Sequence, residues 1–413
     1  MDIFRLGRSS SGGRAADDPG ATDTHSTADT AVEEDAVPDA TGRKVRTGVG
    51  PNARSYLLEA DLPPLDEPGP PGEWVPDLLG AGFHARTLPL PDDDEGEVVA
   101  TLVAYRPAED PAALPGTPAV PTWAMLYLHG WNDYVHNAEL ARRVAALGGA
   151  FYGLDLRKYG RSLRAHQSRG YVDSLSVYDD DIHAARDVVM AELGLGTDLV
   201  LAGHSTGGLT AALWAHRHPG ALRALVLNSP FISAGMPGFV GAATTPVVER
   251  IARTAPRTVV RVNPVDVYQR TLDGLAEGDE EEAPEDEADD RFWTGWGLDR
   301  RWRMAPAGPV RFGWLAAILT GQRQVANGLE ITCPVLVLTS TRSAQALKWS
   351  PDLRFVDTVL DVGAMRSAAL RLGPLVTLAA FEGAVHDVTL SAPNVRRDVY
   401  DELARWVGAY VRR

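Results

Sequence analysis

The chain has 413 residues, a length that suits two or three domains or one α/β domain with insertions, and a hydrophobic content of 45%, enough for a large core. A formal charge of −15, with no cluster of lysines and arginines, argues against nucleic acid or an anionic membrane surface as a partner. Cys333 is the single cysteine, so an intramolecular disulfide is excluded. Its neighbours Ile331 and Val335 predict a buried small residue at a strand start, not a reactive thiol. The opening MDIFRLGRSSSGG lacks the apolar core of a signal peptide, and no run approaches the length of a membrane span. A cytoplasmic protein without stable membrane insertion is expected.

Residues 1–75 are rich in Ala, Asp, Thr, Gly, Ser and Pro with little apolar periodicity, and a disordered acidic tail is expected there. From Phe83 the pattern turns β-like. Phe83 to Leu90 and Val98 to Tyr105 flank the turn-forming run Asp92-Asp93-Asp94-Glu95-Gly96 and read as a hairpin at a sheet edge. Ala124 to Leu128 is a strand, Ala138 to Leu147 a helix, Ala150 to Leu154 a strand and Val177 to Leu193 a long amphipathic helix. Leu199 to Ala202 and Ala224 to Leu227 are further strands, with a helix over Leu209 to His216 between them. Buried strands alternating with helices predict a parallel sheet covered on both faces over 76–232.

Residues 233–328 break this rhythm and read as an inserted helical cap, with helical stretches at Val247 to Ile251 and Pro309 to Leu319. Within it, Asp273 to Asp290 carries 11 acidic residues and no basic one, the composition of a disordered, solvated loop. Phe292, Trp293, Trp296, Trp302, Phe312 and Trp314 flank that run. They either pack the cap together or line an apolar pocket, and the sequence does not separate the two. Alternation resumes over 329–413 with strands at Pro334 to Leu338 and Val376 to Phe381. A closing helix spans Arg396 to Val411, its stripe being Val399, Leu403, Trp406, Val407 and Tyr410.

The stretch with most chemistry is Gly203-His204-Ser205-Thr206-Gly207, placed between a predicted strand and a predicted helix. Glycines at both ends of G-x-S-x-G permit a sharp strand-to-helix turn that pushes the Ser205 hydroxyl out of the sheet. The helix N-terminus then faces the place where an anion would develop. A serine needs a base, and His386, in the loop after the last strand, is the candidate. The orienting acid should follow the strand Pro334 to Leu338, yet Thr339 to Ser350 holds no carboxylate. Asp357 is favoured over Asp361 and Asp352, because the apolar pair after it would anchor the loop. For an oxyanion hole, the backbone N–H groups of Thr206 and Trp131 are the candidates. Trp131 lies in His129-Gly130-Trp131-Asn132-Asp133, where Gly130 permits the turn and His129 braces it. Zinc at His129 and His136 lacks a third nearby ligand.

The strand-HG-x loop, the G-H-S-x-G-G elbow, a late Asp and G-A-x-H-D, in the order Ser, Asp, His, resemble the α/β-hydrolase superfamily. The resemblance is to its monoglyceride lipase/lysophospholipase-like branch, also called serine aminopeptidase-like hydrolases. Asp155-Leu156-Arg157-Lys158-Tyr159-Gly160-Arg161-Ser162 is similar to that branch's D-x-R-G-x-G-x-S turn, with Lys158 in place of its first Gly. The resemblance runs from about Phe83 to Arg413 outside the acidic run. It implies an α/β-hydrolase fold, with a mostly parallel sheet, helices on both faces and an inserted helical cap. It also implies a serine hydrolase of small-molecule or lipid-like carboxylic esters that needs no metal or organic cofactor. An acyltransferase with the same residues, and a non-catalytic binding protein on the same scaffold, are the alternatives.

Overall fold

The computed structural model describes residues 65, 69–233, 245–260, 266–279, 281–346 and 348–412, all within one unit spanning Tyr56–Arg413. Most of the expected tail, and parts of the cap at 234–244 and 261–265, lie outside these residues.

Nine strands form the main sheet: β1 (Trp74–Pro76), β2 (Phe83–Asp93), β3 (Gly96–Tyr105), β4 (Trp123–Leu128), β5 (Gly149–Asp155), β6 (Asp198–His204), β7 (Ala224–Asn228), β10 (Val335–Ser340) and β11 (Val376–Phe381). Their spatial order is β1-β2-β3-β5-β4-β6-β7-β10-β11. The three N-terminal strands pair antiparallel, β3 joins β5 antiparallel, and every pairing from β5 to β11 is parallel. The hairpin β2–β3 is present, but β1 pairs with β2 outside it, with Val75 opposite Ala85. Three residues next to Pro-rich sequence carry too short a pattern to be read as a strand.

Period-two alternation divides the core between the two faces of the sheet. Ala124, Leu126 and Leu128 of β4 pack with α2 (Tyr178–Leu193), α3 (Ser205–Arg217) and α8 (Val362–Ala369), while Trp123, Met125 and Tyr127 pack with α1 (Ala138–Ala146) and α9 (Pro393–Tyr410). Leu336 and Leu338 of β10 and Val200 and Ala202 of β6 follow the second face, and their neighbours the first. The central strands are therefore apolar on both sides, which is why they read as continuous apolar runs.

The chain between β7 and β10 forms the cap. It contains α4 (Thr245–Thr254), α5 (Val267–Leu272), α6 (Arg291–Thr294), α7 (Phe312–Asn327) and a two-stranded ladder of β8 (Val259–Val260) with β9 (Val310–Arg311). α4 and α3 both pack against α7. Phe292, Trp293 and Trp296 join Tyr268, Leu272 and Leu390 in a separate apolar cluster.

The acidic run departs from the expectation of a disordered loop. Its described residues are tied down by arginines outside the run, most of them far away in sequence. Asp273 pairs with Arg300, Asp279 with Arg270, Glu281 with Arg354 at 3.0 Å and Asp290 with Arg396 at 2.7 Å. Glu287 accepts the indole N–H of Trp293 at 3.0 Å, and Asp290 caps α6 through the N–H of Phe292 at 2.9 Å. No basic residue lies within the run, so its partners are invisible to a local reading. Cys333 also differs from expectation: it is half-buried two residues before β10, and burial pushes its thiol up to about 11.

Candidate active site

The strand-to-helix turn at Ser205 has the geometry its glycines imply. β6 ends at His204, α3 begins at Ser205, and Ser205 has φ +52°, a left-handed conformation costly for any residue with a side chain. Space around it is short. A methyl group on Gly203 would lie 2.5 Å from the carbonyl oxygen of Gly207, and one on Gly207 would overlap the carbonyl oxygens of Leu128 and His129. The first turn of α3 thus sits directly against the end of β4, next to the loop carrying Trp131. The carbonyl of Ser205 accepts the N–H of Phe231 at 2.9 Å, which ties the turn to the segment after β7.

Ser205, Thr206, Trp131 and His386 line one cavity of about 160 Å3 at the carboxyl ends of the parallel strands, where open α/β sheets gather ligands. His386 is buried, and its Nδ1 lies 3.0 Å from Oδ2 of Asp357. Oδ1 of Asp357 accepts the N–H groups of Val359 and Leu360 at 2.8 and 2.9 Å, so the carboxylate is fixed with one oxygen left for the imidazole. The other two acids stand elsewhere. Asp361 caps α8 through the N–H of Ala364 at 2.9 Å, and Asp352 is exposed. Asp357 comes well after β10 in sequence but not in space. The intervening chain leaves and returns, Ser343 pairs with Asp357, and Asp357 N–H donates to Arg342 C=O at 3.1 Å.

On the opposite wall, His129 holds the loop after β4. Its Nδ1 lies 2.7 Å from the carbonyl of Gly130, and its Nε2 accepts the N–H of Leu156 at 3.2 Å. That pair of partners assigns the proton to Nδ1. Burial lowers the pKa of His129, in keeping with a neutral structural ring. Thr206 is the second residue of α3, so its N–H belongs to the first turn, where no intrahelical acceptor exists. His204 packs against His386 with ring centroids 4.8 Å apart, and burial pushes its pKa down to about 4 despite the Asp387 carboxylate.

Of Phe292, Trp293, Trp296, Trp302, Phe312 and Trp314, only the last lines the cavity. It lies 5.7 Å from the ring of Trp131. Phe292, Trp293 and Trp296 belong to the separate cluster, and Trp302 packs edge-on to Tyr134 at 5.1 Å. The sequence reading missed the polar members of the wall: Asn132, Asp133, Asp266, Tyr268 and Arg303. Asp133 and Arg303 pair at 2.8 Å. Burial would raise the carboxyl of Asp133, but Arg303 and His136 together outweigh it and hold it far below the usual range. Asn132 and Asp133 stand inside a motif already singled out, whereas Tyr268 and Arg303 come from cap segments with no local signal.

Residues 119–344, more than half of the chain, match the family model described as serine aminopeptidase, S33. The chain belongs to this family. Among curated proteins, the rice (Oryza sativa subsp. japonica) esterase PIR7B is 36% identical over 118 residues, 28% of this chain and 40% of the relative. Lysophospholipase L2 of Escherichia coli K12 is 35% identical over 113 residues, 26% of this chain and 33% of the relative. The matched stretch thus spans less than half the length of either relative. A soluble variant of Saccharomyces cerevisiae monoglyceride lipase superposes with a TM-score of 0.55 at 15% identity, covering 79% of this chain and 95% of that one. A thermostable carboxyl esterase from Bacillus coagulans gives 0.55 at 14% identity, covering 79% and 99%. At these identities the likeness shows the shared α/β-hydrolase fold.

Proposed function

We propose that this S33-family chain is a serine hydrolase of carboxylic esters, with Ser205 as nucleophile, His386 as base and Asp357 as orienting acid. The observation that carries the reading is one constellation: a serine held at positive φ on a helix N-terminus, in one cavity with a histidine whose far nitrogen faces a fixed carboxylate at 3.0 Å. With Nδ1–H donating to Asp357, Nε2 of His386 is free to take a proton. Ser205 Oγ attacks the ester carbonyl as its proton passes to Nε2. The tetrahedral intermediate so formed then collapses: the bond from the carbonyl carbon to the alkoxide oxygen breaks and His386 protonates the departing alcohol. Water repeats the sequence on the acyl-enzyme, giving the acid and restoring Ser205. N–H groups of Thr206 and Trp131 stabilise the oxyanion in both halves.

The esterase and lysophospholipase relatives support the ester chemistry, and cavity size supports a small substrate. At about 160 Å3 the space is roughly half the ~300 Å3 of the smallest common ligand sites. The expectation is turnover of p-nitrophenyl acetate and butyrate, with kcat/KM falling at least tenfold by the decanoate and no turnover in Ser205→Ala or His386→Ala. Undiminished hydrolysis by folded Ser205→Ala overturns the mechanism, and a preference rising through long chains overturns the small-substrate reading. No helix among the described residues is long and apolar enough to cross a membrane. A cytoplasmic location, resting on the single cysteine, and freedom from nucleic-acid partners, resting on the charge of the chain, are part of the same proposal.

A further inference from the structure

The loop that carries Trp131 is gripped from outside the hydrolase core. Asn132 sits at φ +54°, and its buried amide makes three hydrogen bonds to one cap segment. Nδ2 donates to the carbonyl of Met304 at 2.9 Å, while Oδ1 accepts the N–H groups of Met304 and Gly308 at 3.2 and 3.3 Å. The next residue, Asp133, pairs with Arg303 at 2.8 Å, and Arg303 is itself held by Gln269 of α5 at 3.0 Å. Trp131, the residue before, packs its ring at a tilt against Trp314 of α7. Three consecutive residues of the loop therefore each have a partner in the cap.

A second grip falls on the histidine side. Tyr268 of α5 accepts the backbone N–H of Asp387 at 3.1 Å, and its ring stands edge-on to His386 with centroids 5.4 Å apart. The Arg303 guanidinium lies over the same Tyr268 ring at 5.4 Å. One cap unit, Arg303 with Tyr268, thus reaches both walls of the cavity.

We infer that the cap segment Arg303–Gly308 sets the position of the oxyanion loop, with Asn132 and Arg303 as its positioning residues, so that this part of the cap is a fixed component of the active site. The inference rests on the ester-hydrolase reading above. Its physical basis is that an oxyanion donor stabilises charge only when preorganised, and a displacement of about 1 Å costs on the order of a hundredfold in rate. Asn132 tolerates positive φ, and its side-chain oxygen and amide satisfy cap backbone groups that would otherwise be buried unpaired. A cap segment that swung away would take the loop's partners with it, and catalysis and opening of this segment exclude each other.

The test is Asn132→Gly in the full chain, since glycine keeps the backbone conformation and deletes only the grip. With p-nitrophenyl butyrate, kcat is expected to fall about 10- to 100-fold with KM within threefold of wild type. Affinity for a butyl trifluoromethyl ketone, which forms an oxyanion on Ser205, is expected to fall by the same factor as kcat/KM. Arg303→Met acts on the loop through Asp133 and is read in the same way should Asn132→Gly not fold. Unchanged kcat and ketone affinity in a folded variant, or a rise confined to KM, overturns the positioning role. A wild type without Ser205-dependent turnover overturns the hydrolase reading instead.

Discussion

Lys158 shows how a departure from a family pattern is accommodated by one residue's surroundings. It occupies the position where the resembling turn has glycine, and its backbone is left-handed at φ +63°. The side chain is buried, and its ammonium lies 2.5 Å from both Asp93 and Glu95 at the tip of the β2–β3 hairpin. The ion pairs offset the roughly 1–2 kcal/mol that a left-handed conformation costs a residue with a Cβ. Burial would raise the Glu95 carboxyl, but hydrogen bonds from Lys158 and Ser168 outweigh it and hold it at about 2, below its ordinary 4.5. A lowered folded-state pKa means that this contribution is full above pH 4.5 and is lost as the pH falls towards 2. Glu95→Gln is expected to cost about 1 to 2 kcal/mol at pH 7 in urea unfolding. The gap to wild type should close as the pH is lowered from 4.5 to 2; a gap independent of pH contradicts the ion-pair account. The motif containing Lys158 and the turn containing Glu95 were each legible in the sequence. Their contact, 63 residues apart, was not.

Among elements, the cap is where sequence and structure diverge most. Core strands and helices carry period-two and period-3.6 patterns that survive in any local window, and their limits differ from expectation by only a few residues. α3 begins at Ser205 and not at Leu209, because glycine and threonine in its first turn hide its start. The acidic run, by contrast, gains its order from arginines in other segments. Arg354 is fully buried, with Glu281 as its ionic partner and the carbonyls of Thr271 and Gly274 as further acceptors. Arg396, buried on α9, binds Asp290, Glu139 and the carbonyl of Ser391. Asp290→Asn is therefore expected to lower stability by about 1–3 kcal/mol, read as a shift of the urea midpoint with an unchanged slope. A midpoint equal to that of wild type would restore the picture of a free, solvated loop.

Across the whole molecule, the sheet brings together residues that lie far apart in sequence. Ser205 follows β6, Asp357 returns to the end of β10, His386 follows β11, and Trp131 follows β4. The fold and the positions of Ser205, His386 and Trp131 were legible because each stands in a short motif beside an apolar strand, whereas Asp357 lies well beyond β10 in sequence and is brought back only by the fold. The pocket's polar wall was not legible, because Tyr268 and Arg303 gain meaning only from what the cap rests upon. Among acids, local sequence ranked Asp357 above Asp361 by an anchoring argument. The hydrogen bonds to Val359 and Leu360 give that argument its geometry.

The most direct test of the catalytic assignment is the rate at which a fluorophosphonate probe labels the purified chain. Wild type should label stoichiometrically, Ser205→Ala not at all, and His386→Ala at least about a thousandfold more slowly. Asp357→Asn should slow labelling at least about a hundredfold, while Asp361→Asn stays within twofold of wild type. Labelling that persists without Ser205, or that depends on Asp361 and not on Asp357, contradicts the account.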